Sequence, residues 1–173
     1  MSEKSKALDV ILSRRSIRSF ENKPLNDAIF EHLFKAAMAA PSAHNQQPWE
    51  FIIIDDRKLL DEIPTFHPYS KMLLGAPAAI LVCAKKDYIK DEDFWPQDCA
   101  AATENTLLAA TALNLGSVWL GVYPKKTLMD GLSKTLNLPE NVIPFSLIAL
   151  GYPAKTKEPS NRYDSSRVHR NGW

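Results

Sequence analysis

Hydrophobic positions change rhythm several times along this chain, and each change marks an element. Leu8, Ile11 and Leu12 recur at helical spacing after Ser5, predicting a first helix that fails at Ser13 and Arg14, and residues 16–20 then read as extended. Pro24 breaks the chain and Asn26 is placed to cap. Ile29, Leu33, Ala36, Ala37 and Ala40 then line one face of a second helix that Pro41 stops. Residues 49–54 (WEFIII) are aromatic and β-branched and predict a strand, with a short helix over 56–63. Residues 64–77 hold three prolines and predict an irregular connection suited to covering a pocket, before a second buried strand over 77–84. Pro96 fits the first turn of a long alanine-rich helix ending near Leu115, with Gly116 as its left-handed cap. A third strand is expected over 117–122, a helix over 125–136 with Gly131 as a weak point, and a fourth strand over 144–150. Alternating helices and strands predict a sheet covered by helices.

A length of 173 residues suits one core, and 45% hydrophobic with 24% charged residues describes a globular chain rather than a disordered or fibrous one. Residues 1–152 read as one domain. Residues 153–173 are polar but carry Tyr163, Val168 and Trp173, so they form either a frayed tail or an arm that docks on the domain or on a partner subunit. A net charge of +1 argues against wholesale binding of nucleic acid or anionic membrane. No apolar run approaches the roughly 20 residues that a bilayer needs, and the N-terminus lacks a signal peptide's apolar core. The two cysteines, Cys83 and Cys99, lie in or beside apolar segments and form neither a disulfide framework nor a zinc set. A cytoplasmic protein is expected.

Candidate chemistry is narrowed first by what is missing. No phosphate loop, dinucleotide-binding turn, zinc-protease helix or serine elbow occurs, and His32, His44, His67 and His169 have no metal-ligand spacing, so no metal is expected. No acid, base or nucleophile constellation stands out, and no catalytic side chain is assigned. Three segments remain. Arg14, Arg15, Ser16 and Arg18 gather guanidinium groups and a hydroxyl where a helix gives way to extended chain, which reads either as a solvated basic helix end or as a phosphate site. Residues 40–49 are rich in amides and hydroxyls: Asn45 and Gln47 offer paired donors and acceptors for a heterocycle edge, or else cap a loop. Residues 115–124 bracket a short strand with two glycines, letting backbone approach a flat ligand, or forming an ordinary buried strand.

R-R-S-x-R, then P-S-x-x-N-x-Q-P-W, then G-S-V-W-L-G-V-Y-P, with N-R-Y-D-x-S-R-V-H in the tail, resembles the short form of the FMN-dependent nitroreductase family from Arg14 nearly to Trp173. The resemblance implies an α+β fold, a mixed central β-sheet flanked by helices, and a domain-swapped homodimer with FMN at the subunit interface, the C-terminal arm exchanged. It implies that Arg14, Ser16 and Arg18 hold the FMN phosphate and ribityl chain, with Arg15 nearby and Arg162 as a further phosphate partner. Ser42, Asn45 and Gln47 match positions reaching the flavin from the other subunit, and Trp119, Leu120 and Gly121 match the stretch whose backbone faces the ring.

The implied activity is ping-pong hydride transfer from NADH or NADPH to FMN N5 and then to a small-molecule acceptor such as a nitroaromatic or quinone. The Glu-Gly pair that longer nitroreductases place beside N5 has no counterpart here. Phe66, Tyr69, Phe94 and Trp95 are candidates for the pocket rim, or else for core or dimer contacts. A non-catalytic FMN- or nucleotide-binding or flavin-delivery protein is the alternative, and RNA or single-stranded DNA binding through the arginines a second rival without a global basic bias.

Overall fold

The computed structural model describes residues 6–173. Ser5, read as the start of the first helix, lies outside them. The order is α1 (Lys6–Ser13), α2 (Asp27–Met38), β1 (Trp49–Ile54), α3 (Arg57–Glu62), β2 (Ala78–Lys85), α4 (Trp95–Ala112), β3 (Gly116–Gly121), α5 (Lys126–Thr135) and β4 (Val142–Gly151), joined by loops and short 3-10 turns. The strands form one sheet in the order β1-β2-β4-β3, each neighbouring pair antiparallel. The one parallel pairing among the described residues is an isolated bridge between Ser16 and Ser117 beside this antiparallel sheet, where the Ile17 N–H donates to the Ser117 carbonyl at 3.0 Å.

β2 and β4 occupy the centre, and they are covered on both faces, which explains their nearly unbroken apolar sequences. Alternation divides them between two cores. Ile80, Val82 and Ile148 pack with Leu33 and Ala37 of α2 and Ala102 and Leu107 of α4, while Ala79, Leu81 and Leu147 pack with Leu60 of α3 and Leu132 of α5. Each fully buried leucine or isoleucine contributes roughly 1.5–3 kcal/mol by leaving water. α2 begins as its sequence requires, with Asn26 Oδ1 accepting from the Ile29 N–H at 3.0 Å.

The glycines play other roles than expected. α4 ends at Ala112, and the left-handed position after it is Asn114 (φ 58°), a residue type that tolerates this region. Gly116 instead opens β3, where an added Cβ would stand 2.7 Å from Ile17 Cγ2, so its bare backbone admits the extended segment against the sheet edge. Gly131 is a site of close approach rather than a weak point, since a Cβ there would lie 2.5 Å from Phe66 Cδ2. Of the rim candidates, Phe66 therefore belongs to the α5 contact. Trp95 is buried against Tyr123 and Phe145, whereas Tyr69 and Phe94 are exposed.

Candidate functional site at the edge of the sheet

β3 is an edge strand. The Ser117 carbonyl is taken from outside the sheet by Ile17, so in the alternation of an antiparallel ladder the N–H and C=O groups of Ser117, Trp119 and Gly121 point away from β4. The outward edge is closed at both ends. Residues 16–17 cover it at Ser117, and at the far end His67 Nε2 lies 3.1 Å from the Gly121 carbonyl oxygen. Between them the Trp119 peptide groups and the Gly121 N–H have no partner among the described residues, on an edge about 14 Å long, four residue steps at roughly 3.4 Å each. Gly121 is exposed and nothing lies within 4 Å of where its Cβ would be.

The arginine segment meets this edge at Ser117. Beyond Ser16, the chain continues to a bridge between Phe20 and Pro153, with the Ala154 N–H donating to the Ser19 carbonyl at 3.0 Å, so residues 14–21 are laced between β3 and the chain leaving β4. Arg15 is committed to this lacing. Its guanidinium donates to the Glu158 carbonyl at 2.8 Å and to the Arg14 carbonyl, and its Nη2 is buried without a partner among the described residues. Arg14 lies 3.5 Å from Glu104 of α4, and Arg18 is exposed. Lys157, which no sequence motif singles out, donates from Nζ to the Ser16 carbonyl at 3.0 Å and adds a cation to the cluster. Ser117 Oγ, beneath the cluster, is also buried and unpartnered among the described residues.

The amide loop sits elsewhere. It precedes β1, at the opposite edge of the sheet, three strand spacings or about 14 Å across from β3. His44, Asn45 and Gln47 all take the left-handed region (φ 51°, 50° and 46°), a conformation costing of order 1–2 kcal/mol per non-glycine residue that persists only where surroundings impose it. Asp98, 4% exposed in the first turn of α4, imposes it: Oδ1 accepts from the Ala43 N–H at 2.9 Å and Oδ2 from Gln46 Nε2 at 2.6 Å. Gln46 Oε1 in turn accepts from the Lys90 and Asp91 N–H groups at 2.8 and 3.1 Å, which ties in the loop before α4. With Gln46 held inside, Asn45 and Gln47 are displayed outside, joined by Gln47 Nε2 to Asn45 Oδ1 at 2.7 Å, and Ser42 Oγ accepts from the Gln47 N–H at 3.1 Å. In sequence Gln46 is one of several amides in a run, and Asp98 is only a carboxylate suited to a helix N-terminus, so neither announces this contact.

Within one chain, then, the structure brings Ser16 and Ile17 of the arginine segment to Ser117 of β3, with Arg14 turned to Glu104 and Arg18 exposed, and leaves Ser42, Asn45 and Gln47 at the other edge. Arg162 is exposed. Residues 154–173 are exposed throughout, including Tyr163, Val168 and Trp173, and so is the apolar face of α1 at Leu8, Ile11 and Leu12. An apolar groove of about 420 Å³ runs beside that face, lined by Val10, Ala36, Leu108 and Ala109 among others.

No thiol is poised for chemistry: burial pushes Cys83 up to about 12 and Cys99 higher still. Burial also holds His67 below the usual histidine range. Among the described residues no helix is long and apolar enough to cross a membrane.

Comparison with known proteins agrees with this architecture. The model of the nitroreductase family matches residues 11–66 and 65–152. A protein of Archaeoglobus fulgidus, provisionally named an NADH dehydrogenase/NAD(P)H nitroreductase, is 46% identical over 170 residues, spanning 96% of this chain and 98% of its own. A crystal structure from Parabacteroides distasonis, with the same provisional name, superposes with a TM-score of 0.94 at 38% identity, covering 98% of this chain and 100% of the other. A nitroreductase from Desulfovibrio desulfuricans, also provisionally named and solved in complex with FMN, superposes with a TM-score of 0.85 at 29% identity over 99% of both chains. The chain belongs to the nitroreductase family.

Proposed function

We propose that the protein is an FMN-dependent NAD(P)H oxidoreductase that reduces an electron-poor acceptor such as a nitroaromatic or quinone. The observation that carries this reading is the stretch of the β3 edge left without partners among the described residues between Ile17 and His67, with Ser16 at its Ser117 end and Lys157 on the Ser16 carbonyl. The residues fit the cofactor: guanidinium and ammonium groups suit a phosphate dianion, main-chain donors and acceptors suit the hydrogen-bonding edge of the ring, and Gly121 leaves room above the backbone.

FMN, when bound, supplies the redox chemistry, passing reducing equivalents from a nicotinamide to the acceptor. The chain's own groups bind and orient. Arg14 and Arg18 hold phosphate, the Trp119 and Gly121 N–H groups donate to the ring, and such fixed donors favour negative charge without reorganising. Ser42, Asn45 and Gln47 stand across the sheet, so they complete the site from a second copy, and two sites form at the interface of a homodimer. The exposed apolar face of α1 and the arm's Tyr163, Val168 and Trp173 are the surfaces that this pairing covers, with Arg162 carried toward phosphate by the arm. Cys83 and Cys99 are free although Cys99 Sγ lies 3.8 Å from the Cys83 carbonyl, which suits a reducing cytoplasm.

The test is the visible spectrum of the purified protein followed by anaerobic NADH or NADPH. A flavin spectrum that bleaches supports the reading, bound flavin that no nicotinamide reduces makes the protein a flavin carrier, and a colourless protein that takes up no FMN refutes it. Arg18→Ala should raise the FMN Kd about tenfold to a hundredfold, as loss of a charged hydrogen bond does, while leaving the fold intact. Unchanged affinity removes Arg18 from the phosphate site.

A further inference from the structure

His67 was set aside by its sequence context as one of four histidines without a metal pattern, yet it is a built-in part of the β3 edge. It is 1% exposed, and its backbone is fixed on both sides. The His67 N–H donates to the Ile63 carbonyl at 3.0 Å, and its own carbonyl accepts from the Ser70 N–H at 3.1 Å and from Ser70 Oγ at 2.8 Å. Phe66, next to it, is lodged over Gly131 of α5. A carbonyl can only accept, so the proton of the neutral imidazole sits on Nε2 and is donated to Gly121, while Nδ1 is buried without a partner among the described residues. A ring this firmly anchored is a fixed donor aimed at one peptide.

That peptide needs an anchor. Gly121 has no side chain to restrict its torsions, nothing packs where its Cβ would be, and it is the last residue of an edge strand. We propose that His67 is a positioning residue for the flavin-facing edge: by holding the Gly121 carbonyl it keeps the Gly121 N–H and the adjoining Trp119 peptide presented to the ring. The inference rests on the flavin reading above. It gives the 63–70 connection a defined role, clamping the end of β3 rather than walling the pocket with aromatic rings.

Two variants test it: His67→Leu, which removes the donor at similar volume, and His67→Gln, which keeps an N–H within reach. FMN Kd is read by flavin fluorescence, the midpoint potential by dye equilibration, and folding by circular dichroism. Folded H67L should bind FMN about three- to tenfold more weakly and show a displaced potential, the loss expected for one net hydrogen bond, while H67Q stays within about twofold of wild type. A merely structural histidine would lower the melting temperature without moving the potential. H67L with wild-type affinity and potential overturns the inference alone, whereas wild-type protein that takes up no FMN overturns the flavin reading with it. Should H67L fail to fold, ¹⁵N-histidine spectra of the wild type decide: a His67 ring signal in the Nε2–H form that shifts on FMN binding upholds the inference, and one that does not shift overturns it.

Discussion

Exchanging the two ends of the Asp98–Gln46 contact gives the sharpest test of how the amide loop is held. Asp98 accepts from two donors and Gln46 Oε1 from two more, so all four polar directions are taken. In Asp98→Asn the new NH₂ must face either the Ala43 N–H or Gln46 Nε2, donor against donor, and Gln46 cannot flip to relieve it without turning its NH₂ toward the Lys90 and Asp91 N–H groups. One buried donor is left without an acceptor, a loss of about 2 kcal/mol within a range of roughly 1–3. Gln46→Glu alone sets two carboxyl groups against each other at a 2.6 Å contact and should lose a similar amount. In D98N/Q46E every partner returns: the introduced amide accepts from the Ala43 N–H through its oxygen and donates through its NH₂ to the introduced carboxylate, which keeps the Lys90 and Asp91 donors. The double variant should recover all but about 1 kcal/mol, the remainder reflecting the charge moved from the N-terminus of α4, so the coupling is about 3 kcal/mol in urea unfolding. FMN affinity should follow the same order, because Ser42, Asn45 and Gln47 depend on this contact for their display. D98N within about 0.3 kcal/mol of wild type, or a double variant that loses the sum of the singles, would refute it.

The two glycines of β3 should part company. Gly116→Val drives a Cβ to 2.7 Å from Ile17 Cγ2 and should lower stability by about 1–3 kcal/mol and weaken FMN uptake, whereas Gly121→Ala meets open space and should leave urea stability within about 0.5 kcal/mol while impairing FMN binding; equal melting curves for G116V and wild type would remove the close-packing argument. Burial holds His67 below the usual histidine range, so as pH falls below about 6.5 the unfolded chain takes up a proton more readily than the native chain. Its contribution is therefore complete above that pH and declines as pH falls further, with a slope of up to about 1.4 kcal/mol per pH unit that H67Q should lack, as a comparison of their urea midpoints from about pH 7.5 downward would show.

The elements were legible because local chemistry decides them. Trp49–Ile54 coincides with its run of aromatic and β-branched residues, Asn26 caps α2, and Pro96 lies in the first turn of α4. Gly116 and Gly131 serve roles that no local pattern shows, because a glycine's reason can be a neighbour distant in sequence: Ile17 lies on a segment ninety-nine positions before Gly116, and Phe66 reaches α5 from another connection. The same holds for the site. Arginines and amides announce their chemistry by type, but that Gln46 is the buried member and Asn45 and Gln47 the displayed ones follows from Asp98, which only tertiary structure brings to the loop.

An exposed sheet edge ordinarily invites another strand, and proteins cover or shorten it. Here Ile17 and His67 close the two ends of β3's outer edge, leaving a window too short to template a strand but suited to a small planar ligand with its own donors and acceptors. The covering is thus partial by construction, and it leaves hydrogen-bonding capacity where a ring can use it. The opposite edge carries the complementary half of the polar groups on a loop held in a left-handed conformation. A single copy cannot fold these halves onto each other, since β2 and β4 lie rigidly between them, both faces buried. In the proposed homodimer two copies would bring these halves together, and the exposed apolar residues of α1 and of residues 154–173 would be the surfaces that pairing covers. If the proposed pairing holds, the site and the dimer are a single feature, so a change that loosens residues 154–173 should weaken FMN binding without touching any group proposed to contact the ring.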